Sequence, residues 1–571
     1  MKRVKKMSVL RRARHSFRPV FGGLGRPAST AVGATIASTV LDLAKPWPAA
    51  FVIDRVLAGG DASRGDVVLL IAAGVVSGAI GLVGGQLSFL SSLKAAEVAK
   101  TATTRLRRMV FEHLNRLALP FHASSRTGDL LIRLIGDVAL VRDLLFTSWI
   151  TLLDFGLQLV GLVVIMAILD PPVVAALAGP LLYLWVTSRE SAREMKAAVR
   201  LQRKSQGAAA AMAAETLSQI RVIKAYGAED LAVSTFNETS VKEEGEGFRA
   251  ARIGADIERR MEGLAGWGSG IVLAVGGLRV LAGAITVGDL VVLVSYGKSL
   301  FKPLRKLSAE IARLAKAAAV TERILDILDR EPEDPRLGAG VSSFRGEIEF
   351  RDVQYGYSPH RRVLDGASLV IPEGRLVALV GANGEGKSTV LSLLLRLFEP
   401  EGGQISIDGR SIAEFRLDEY RRRMAYVPQD LRLFAGSVAD NIRFGKPDAT
   451  DVEISAAVGA AHFADVVGRL CGGMATELGE GGATLSGGEA RRLMLARAAA
   501  RQADVLLLDE PFAGLDPESR PAVARSIRGI AAGRTTIVVA HGDLDDLDPD
   551  MVVRLRDGKL EAYQPLLATG L

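Results

Sequence analysis

The chain has 571 residues, of which 49% are hydrophobic and 24% are charged, with a formal net charge of +7. This length is too great for a single hydrophobic core, and an average charged fraction beside a high apolar content implies that the apolar residues are concentrated in one part. The basic residues cluster beside apolar runs, which favours cytoplasmic membrane flanks over a nucleic-acid surface. The only cysteine, Cys471, excludes an intrachain disulfide and a cysteine-rich metal site.

Six apolar runs in the first half are candidate membrane spans, because a spanning helix needs about 20 mostly apolar residues. They cover residues 31–57, 67–93, 147–169, 172–186, 263–281 and 287–307. An even number places both ends of this region on one side, which the basic N-terminus marks as cytoplasmic. The polar stretches 94–148 and 188–262 have few helix breakers, so we expect helices that continue well past the bilayer. Residues 1–328 are therefore predicted to form an all-α transmembrane domain.

The pattern changes after residues 329–345, whose Pro, Gly and charged residues predict a linker. Strand-like runs then alternate with helical runs, which indicates an α/β domain with a largely parallel sheet over residues 346–571. The predicted strands are 347–350, 367–371, 376–380, 424–427, 505–508 and 535–539.

A glycine-rich segment follows the strand-like run 376–380 and precedes a helical run. It reads Gly381, Ala382, Asn383, Gly384, Glu385, Gly386, Lys387, Ser388, Thr389, and it fits the pattern GxxxxGK[ST]. Glycines let several backbone N–H groups point into one concavity, and the following helix N-terminus adds a favourable partial charge for a phosphate. Lys387 can reach the β and γ phosphates, and the Ser388 hydroxyl can hold Mg²⁺. The segment predicts a bound nucleoside triphosphate.

Two further segments favour the same chemistry. The apolar run 505–508 delivers Asp509 and Glu510 to the carboxyl edge of the sheet, where Asp509 can hold Mg²⁺ and Glu510 can polarise a water molecule. Alone, this pair could also be a surface turn. Ser486, Gly487 and Gly488 open a helical run and expose N–H groups to an anion, although an ordinary helix cap has the same sequence.

Together these motifs resemble the ATP-binding-cassette ATPases, over about residues 345–560. In this resemblance Gln429 lies in the Q-loop, 485–489 is the signature motif, Asp516 lies in the D-loop and His541 is the switch histidine. Tyr357 is similar to the aromatic residue that stacks on adenine, and 476–480 to the X-loop. The first half resembles the exporter-type transmembrane domain through its segments 44–54, 119–129, 220–229 and 285–290.

The resemblance implies a P-loop NTPase cassette fused to a six-helix transmembrane domain, with ATP and Mg²⁺ as cofactors. Each ATP would lie between the glycine-rich loop of one cassette and the signature motif of another. Lys387 would neutralise the γ-phosphate, Glu510 would orient or deprotonate water, His541 would hold the γ-phosphate, and Gln429 would sense the metal ion.

The implied function is ATP-driven export, across the cell membrane, of an amphipathic small molecule, lipid or peptide, with both the N-terminus and the cassette cytoplasmic. One cassette per chain requires a dimer. Because the site is intact, a homodimer is expected, and a heterodimer with a defective partner is the alternative. An importer with the exporter fold stays open. A soluble cassette ATPase acting on nucleic acid is opposed by the six apolar runs.

Some positions depart from the family pattern or leave their role open. Glu385 and Glu489 are acidic where the family usually has other residues, Gly481 stands where an Arg is usual, and Gly542 and Asp543 stand where the family often has Arg-Leu. We expect the Glu385 carboxylate to point away from the phosphates. Within the spans, Asp42 and Lys45 are three residues apart and share a helix face. Asp42 and Lys45 form either a structural pair or, together with Asp154, part of a polar translocation pathway.

Overall fold

The computed structural model describes residues 12, 15–57, 64–125, 127–358, 361–479, 485–540 and 546–563. The chain divides into two compact units. The helical unit contains Met1–Glu112 and Gly128–Asp329, and the sheet unit contains His113–Thr127 and Arg330–Leu571. The fold class predicted from the sequence, a helical region followed by an α/β cassette, is confirmed.

Helices make up the described part of the helical unit, and one short helix of the sheet unit, Leu119–Ser124, interrupts them in sequence. The helices are α1 Gly25–Ala44, α2 Trp47–Val52, α3 Arg64–Arg116, α4 Leu119–Ser124, α5 Thr127–Ile132, α6 Val138–Arg142, α7 Ser148–Leu169, α8 Pro171–Ala176, α9 Ala178–Ser218, α10 Ile220–Tyr226, α11 Glu229–Leu281, α12 Val287–Ser299 and α13 Phe301–Leu328. Single π-helical turns span Ile53–Leu57, Arg133–Asp137 and Asp143–Thr147. The helices α3 and α11 each run for 53 residues without a break, about 80 Å at 1.5 Å per residue.

Four helical segments of the described chain are long and apolar enough to cross a membrane: Gly25–Leu57, Arg64–Arg116, Ser148–Leu169 and Glu229–Leu281. The other two predicted spans are interrupted. The run 172–186 is divided between α8 and α9, and the run 287–307 is divided at Leu300 between α12 and α13. A proline explains each break, since Pro180 and Pro303 lie in the first turn of α9 and α13, where a missing N–H is tolerated.

The described part of the sheet unit contains a mostly parallel sheet of six strands, an antiparallel sheet of four strands and an antiparallel pair of short strands. Its strands are β1 Ile348–Ser358, β2 Arg361–Ile371, β3 Leu376–Val380, β4 Gly402–Ile407, β5 Arg410–Ser411, β6 Met424–Val427, β7 Gly436–Ser437, β8 Glu477–Leu478, β9 Val505–Asp509, β10 Thr535–Val539, β11 Met551–Arg556 and β12 Lys559–Tyr563. Its further helices are α14 Lys387–Leu394, α15 Leu417–Arg422, α16 Val438–Arg443, α17 Asp451–Ala460, α18 Ala464–Arg469, α19 Gly487–Ala500 and α20 Arg520–Ala531.

The larger sheet has the strand order β12-β11-β3-β10-β9-β6, and only β12 within it is antiparallel to its neighbour. The strands β9 and β10 are buried along their whole length, as expected for a parallel sheet covered on both faces. Because β3 and β9 are separated only by β10, the segments that follow them meet at one edge of the sheet. The order of strands therefore brings the glycine-rich loop close to Asp509.

The segment predicted as a linker packs against the sheet unit. Glu333 forms an ion pair of 3.0 Å with Arg421, Ala339 pairs with Phe415 in a short bridge, and Phe344 is buried. The same unit contains His113–Thr127, where the backbone N–H of Glu333 donates to the carbonyl of Arg116 over 2.7 Å. The residues after Asp329 are thus fixed to the sheet unit by an ion pair, hydrogen bonds and burial.

Candidate nucleotide-binding site

The glycine-rich loop connects β3 to α14 and wraps around the buried ammonium of Lys387. That ammonium donates to the carbonyls of Gly381 and Ala382, over 2.8 Å in each case. Gly386 precedes the helix with φ 103°, and a Cβ there would lie 2.1 Å from a methyl carbon of Val363, so only glycine fits. The loop therefore presents the start of α14 and its N–H groups at the sheet edge, which is the geometry of a phosphate site.

Glu385 turns its carboxylate back onto its own loop. It accepts the backbone N–H of Ala382 over 2.7 Å. Gly381, Ala382 and Glu385 line a cavity of ≈ 380 Å³ together with Arg554 and other residues, and none of these three lines the larger cavity on the phosphate side. The carboxylate thus lies on the side of the loop away from the expected phosphates, as the sequence analysis expected.

Asp509 at the end of β9, Glu510 directly after it and two residues from other elements form the polar core of the site. Ser388 donates its hydroxyl to Asp509 over 3.0 Å, and Gln429 donates its side-chain N–H to Glu510 over 2.8 Å. Glu510 adopts φ 47°, a left-handed conformation that is uncommon for a residue with a side chain. Such conformations concentrate at functional sites, where the surrounding structure maintains the strain.

Burial and neighbouring charges shift the pKa values of this core. Burial raises the pKa of Asp509 and Glu510 adds to the shift, against the hydrogen bond from Ser388. Burial lowers the pKa of Lys387, while the carboxylates of Glu510, Glu385 and Asp509 act in the opposite direction. Perturbed pKa values of this kind are typical of a site that binds charged ligands.

A cavity of ≈ 770 Å³ brings half of the predicted site residues together. Its lining includes Tyr357, Asn383, Gly384, Gly386, Lys387, Ser388, Thr389, Gln429 and Glu510. Tyr357 is mostly exposed, and its hydroxyl lies 3.0 Å from the hydroxyl of the buried Thr389. This arrangement holds an aromatic ring at the mouth of the cavity, where a planar base can stack on it.

The signature residues are not part of this cavity. Ser486 caps α19 by accepting the N–H of Glu489, and the Glu489 carboxylate accepts the N–H of Ser486 in return, which completes a capping box. Burial raises the pKa of Glu489, but its bonds from Ser486 and Arg469 outweigh burial, so that its pKa is lowered overall. Asp516 accepts the N–H of Ser519 near the start of α20. His541 lies outside the described residues, as do Gly481, Gly542 and Asp543.

Sequence reasoning missed two contributors to the site. Arg491, on the signature helix α19, is buried and donates to the carbonyl of Pro428 over 2.9 Å, directly before Gln429. Tyr426, at the end of β6, reaches Asp509 with its hydroxyl over 3.5 Å. Both follow or precede recognised motifs by two or three residues, but only the tertiary structure shows that they contact the site.

Comparison with known families agrees with both halves of the chain. A family model described as "ABC transporter transmembrane region" matches residues 30–304, and one described as "ABC transporter" matches residues 364–513. The chain is 31% identical over 472 residues to the uncharacterized ABC transporter ATP-binding protein YfiC of Bacillus subtilis, covering 81% of this chain and 77% of that protein. The chain belongs to the ABC transporter family. It is a transporter subunit with one transmembrane region and one ATPase domain.

Further comparisons assign this ABC transporter to the exporter type. It is 31% identical over 485 residues to the ATP-dependent lipid A-core flippase of Methylococcus capsulatus, covering 83% of this chain and 80% of the flippase. The solved structure of a bacterial Atm1-family ABC exporter with ATP bound matches with a TM-score of 0.79 at 27% identity, covering 94% of each chain. The protein is therefore a membrane-embedded half-transporter that binds ATP and couples its hydrolysis to export. The importer alternative is disfavoured.

Proposed function

We propose that two identical copies of the chain form the working exporter in the cell membrane, with the N-terminus and both cassettes in the cytoplasm. Each ATP lies between the glycine-rich loop of one copy and Ser486, Gly487 and Gly488 of the other. Closing the two cassettes on ATP rearranges the helices and moves an amphipathic small molecule, lipid or peptide across the bilayer.

One observation carries the proposal for the site. Ser388, Asp509, Gln429 and Glu510 converge at the loop that holds Lys387, with separations of 2.8 and 3.0 Å between the paired groups. A homodimer of this chain would have two complete sites. A heterodimer with a defective partner would have fewer, so the intact residues of this chain favour the homodimer. The signature motif does not line the cavity of its own chain. This supports the proposal that a second copy contributes its signature motif to the site.

The donor set fits Mg²⁺. The Ser388 hydroxyl, the Asp509 carboxylate and the Gln429 amide provide oxygen ligands, which hard divalent cations prefer. When bound, Mg²⁺ supplies positive charge to the β and γ phosphates. The burial that raises the pKa of Asp509 is the environment in which a nearby cation stabilises the carboxylate most.

The side chains of the chain divide the remaining work. Lys387 and the loop amides neutralise the γ-phosphate, and Tyr357 stacks on adenine. Glu510 orients or deprotonates the attacking water from its strained position, and Gln429, bonded to Glu510, reports the occupancy of the metal site to the membrane helices. His541 holds the γ-phosphate, an assignment that rests on the sequence motif.

The direct test replaces Glu510 by Gln. The Glu510→Gln protein in lipid should bind ATP as the wild type does, because the side chain keeps its size, and should hydrolyse it about a hundredfold or more slowly, since a general base contributes that much. ATP binding and phosphate release are measured on the same preparation. The matched control is Glu373→Gln, an exposed residue of the sheet unit, which should hydrolyse at the wild-type rate. Undiminished turnover by Glu510→Gln would refute its role as the base.

A further inference from the structure

A polar cavity of ≈ 500 Å³ lies among the helices α1, α3 and α7 of the helical unit. Its volume is within the range of about 300–1,000 Å³ that small-molecule sites occupy. Hydroxyl groups of Thr35, Ser38, Ser91 and Thr151 line it, and Thr35 and Ser91 are hydrogen bonded to each other across α1 and α3 over 2.6 Å. Hydroxyl groups are common where membrane helices pack against each other, but an ionisable group among them marks a pathway or a site.

The two carboxylates of this cavity differ in their partners. Asp42 forms an ion pair of 2.5 Å with Lys45, so the two residues predicted to share a helix face are paired with each other. Asp154, in contrast, has no Lys, Arg or His within ion-pairing distance in the described part of the chain. It accepts bonds from the neutral groups of Thr39 (2.9 Å) and Gln158 (3.3 Å), both at the same oxygen, Oδ1. Its second oxygen accepts no bond from the described residues.

The two described cations that line the cavity, Lys100 and Arg142, form no ion pair with Asp154, and Lys302, outside this lining, attracts its carboxylate at longer range. Arg142 is bonded to Asp143 over 2.6 and 3.0 Å. Ser91 bonds to Thr35, which lies one helical turn before Thr39, the residue that donates to Asp154. Lys100 is nine residues farther along α3 from Ser91, about 14 Å on the helix axis.

Phe155 also lines the cavity. An aromatic face and a carboxylate that forms no ion pair with the described residues both favour an organic cation, since a ring attracts a cation electrostatically and excludes water from it. We propose that this cavity binds the charged group of a lipophilic organic cation, with Asp154 as its counter-charge and Phe155 as its aromatic wall. That the bound cation is then exported rests on the proposed function. Binding of the cation to the cavity requires no nucleotide.

The test compares two probes of equal shape and opposite charge, tetraphenylphosphonium and tetraphenylborate. Their binding is measured on the full chain in lipid nanodiscs without nucleotide, with empty nanodiscs as the blank for partition into lipid. The wild type should bind the phosphonium at least tenfold more tightly than the borate. Asp154→Asn should lose that preference, Asp154→Glu should keep it, and Phe155→Leu should weaken phosphonium binding severalfold while leaving the borate unaffected.

Equal binding of the two probes by the wild type would overturn the proposal, whether or not any variant folds. Unchanged phosphonium binding by a folded Asp154→Asn protein would also overturn it. ATP hydrolysis of the same preparations is measured separately. Intact hydrolysis without cation binding contradicts only the cavity assignment, and loss of hydrolysis in the wild type would contradict the export function instead.

Discussion

Glu385 shows how a residue that departs from its family pattern is accommodated. A carboxylate inside a phosphate-binding loop should repel the ligand, but here it accepts the N–H of Ala382 over 2.7 Å and faces the cavity on the other side of the loop. The bond closes the turn from Ala382 to Glu385 before any phosphate arrives. We interpret Glu385 as a positioning residue that offsets part of its own repulsion by ordering the loop.

Two substitutions separate these effects. Glu385→Gln removes the charge and keeps an oxygen that can accept the Ala382 N–H, whereas Glu385→Ala removes both. Because a hydrogen bond contributes about 0.5–1.5 kcal/mol net, the Gln variant should bind ATP about two- to twelvefold more tightly than the Ala variant. ATP binding is measured in the Glu510→Gln background to prevent hydrolysis. Equal affinities of the two variants would show that the bond does not order the loop.

At the scale of elements, a joint connects two segments that are more than 230 residues apart in the sequence. The Asp54 carboxylate, in the π-helical turn after α2, accepts the Thr286 hydroxyl over 2.6 Å and the Gly288 N–H over 2.7 Å at the start of α12. Thr286 and Asp289 form a capping box at the same helix end. The two segments were each recognised by resemblance, and the structure shows that they contact each other.

Gly288 leaves no room for a side chain in this joint. A Cβ there would lie 2.3 Å from the Asp54 carboxylate and 2.5 Å from the carbonyl of Ala50. Gly288→Ala should therefore destabilise the helical unit by about 1–3 kcal/mol, the usual cost of overpacking, and lower its thermal unfolding midpoint in lipid. The matched control is Gly277→Ala in α11, where a Cβ meets nothing within 4 Å and the helix should gain slightly. An unfolding midpoint unchanged by Gly288→Ala would contradict the close packing of Gly288 against Asp54 and Ala50.

At the scale of the whole molecule, the site of one chain is incomplete if ATP must lie between two cassettes. Part of the glycine-rich loop and Glu510 line one cavity, but the signature residues do not line it. A Cβ on Gly487 would meet nothing within 4 Å in its own chain. Substitutions there should consequently spare folding and affect only a site completed by another copy.

Complementation between defective copies tests this arrangement. Lys387→Ala and Gly487→Asp should each abolish hydrolysis when present in both copies, the first by removing phosphate neutralisation and the second by placing a negative charge against the phosphates. Mixed dimers, purified through two different tags, contain one intact site assembled from the unaltered loop of one chain and the unaltered signature of the other. They should hydrolyse ATP at up to half of the wild-type rate.

A double variant with both substitutions on one chain, paired with a wild-type chain, is the control, since neither of its sites is intact. Its hydrolysis should be close to background. If the mixed dimers of single variants are as inactive as this control, the site is not shared between copies in the proposed way.

The sequence by itself determined the elements and the chemistry that depend on local order. Hydrophobic runs indicated the helices, apolar strands indicated the parallel sheet, and the spacing of glycines before Lys387 predicted the phosphate loop, because these features depend on residues that are neighbours in the chain. It also placed Asp509 and Glu510 at the end of a strand, which is a local property.

Only the tertiary structure decided which distant residues meet. The contact of Arg491 with the carbonyl before Gln429, the joint of Asp54 with Gly288, and the hydrogen bond from Thr39 to Asp154 all depend on how helices and strands pack. The two interrupted spans have a different reason. Each break has a local cause that the hydrophobic pattern hides, because Pro180 and Pro303 lack the N–H that would bond to the carbonyl four residues earlier while the apolar run continues.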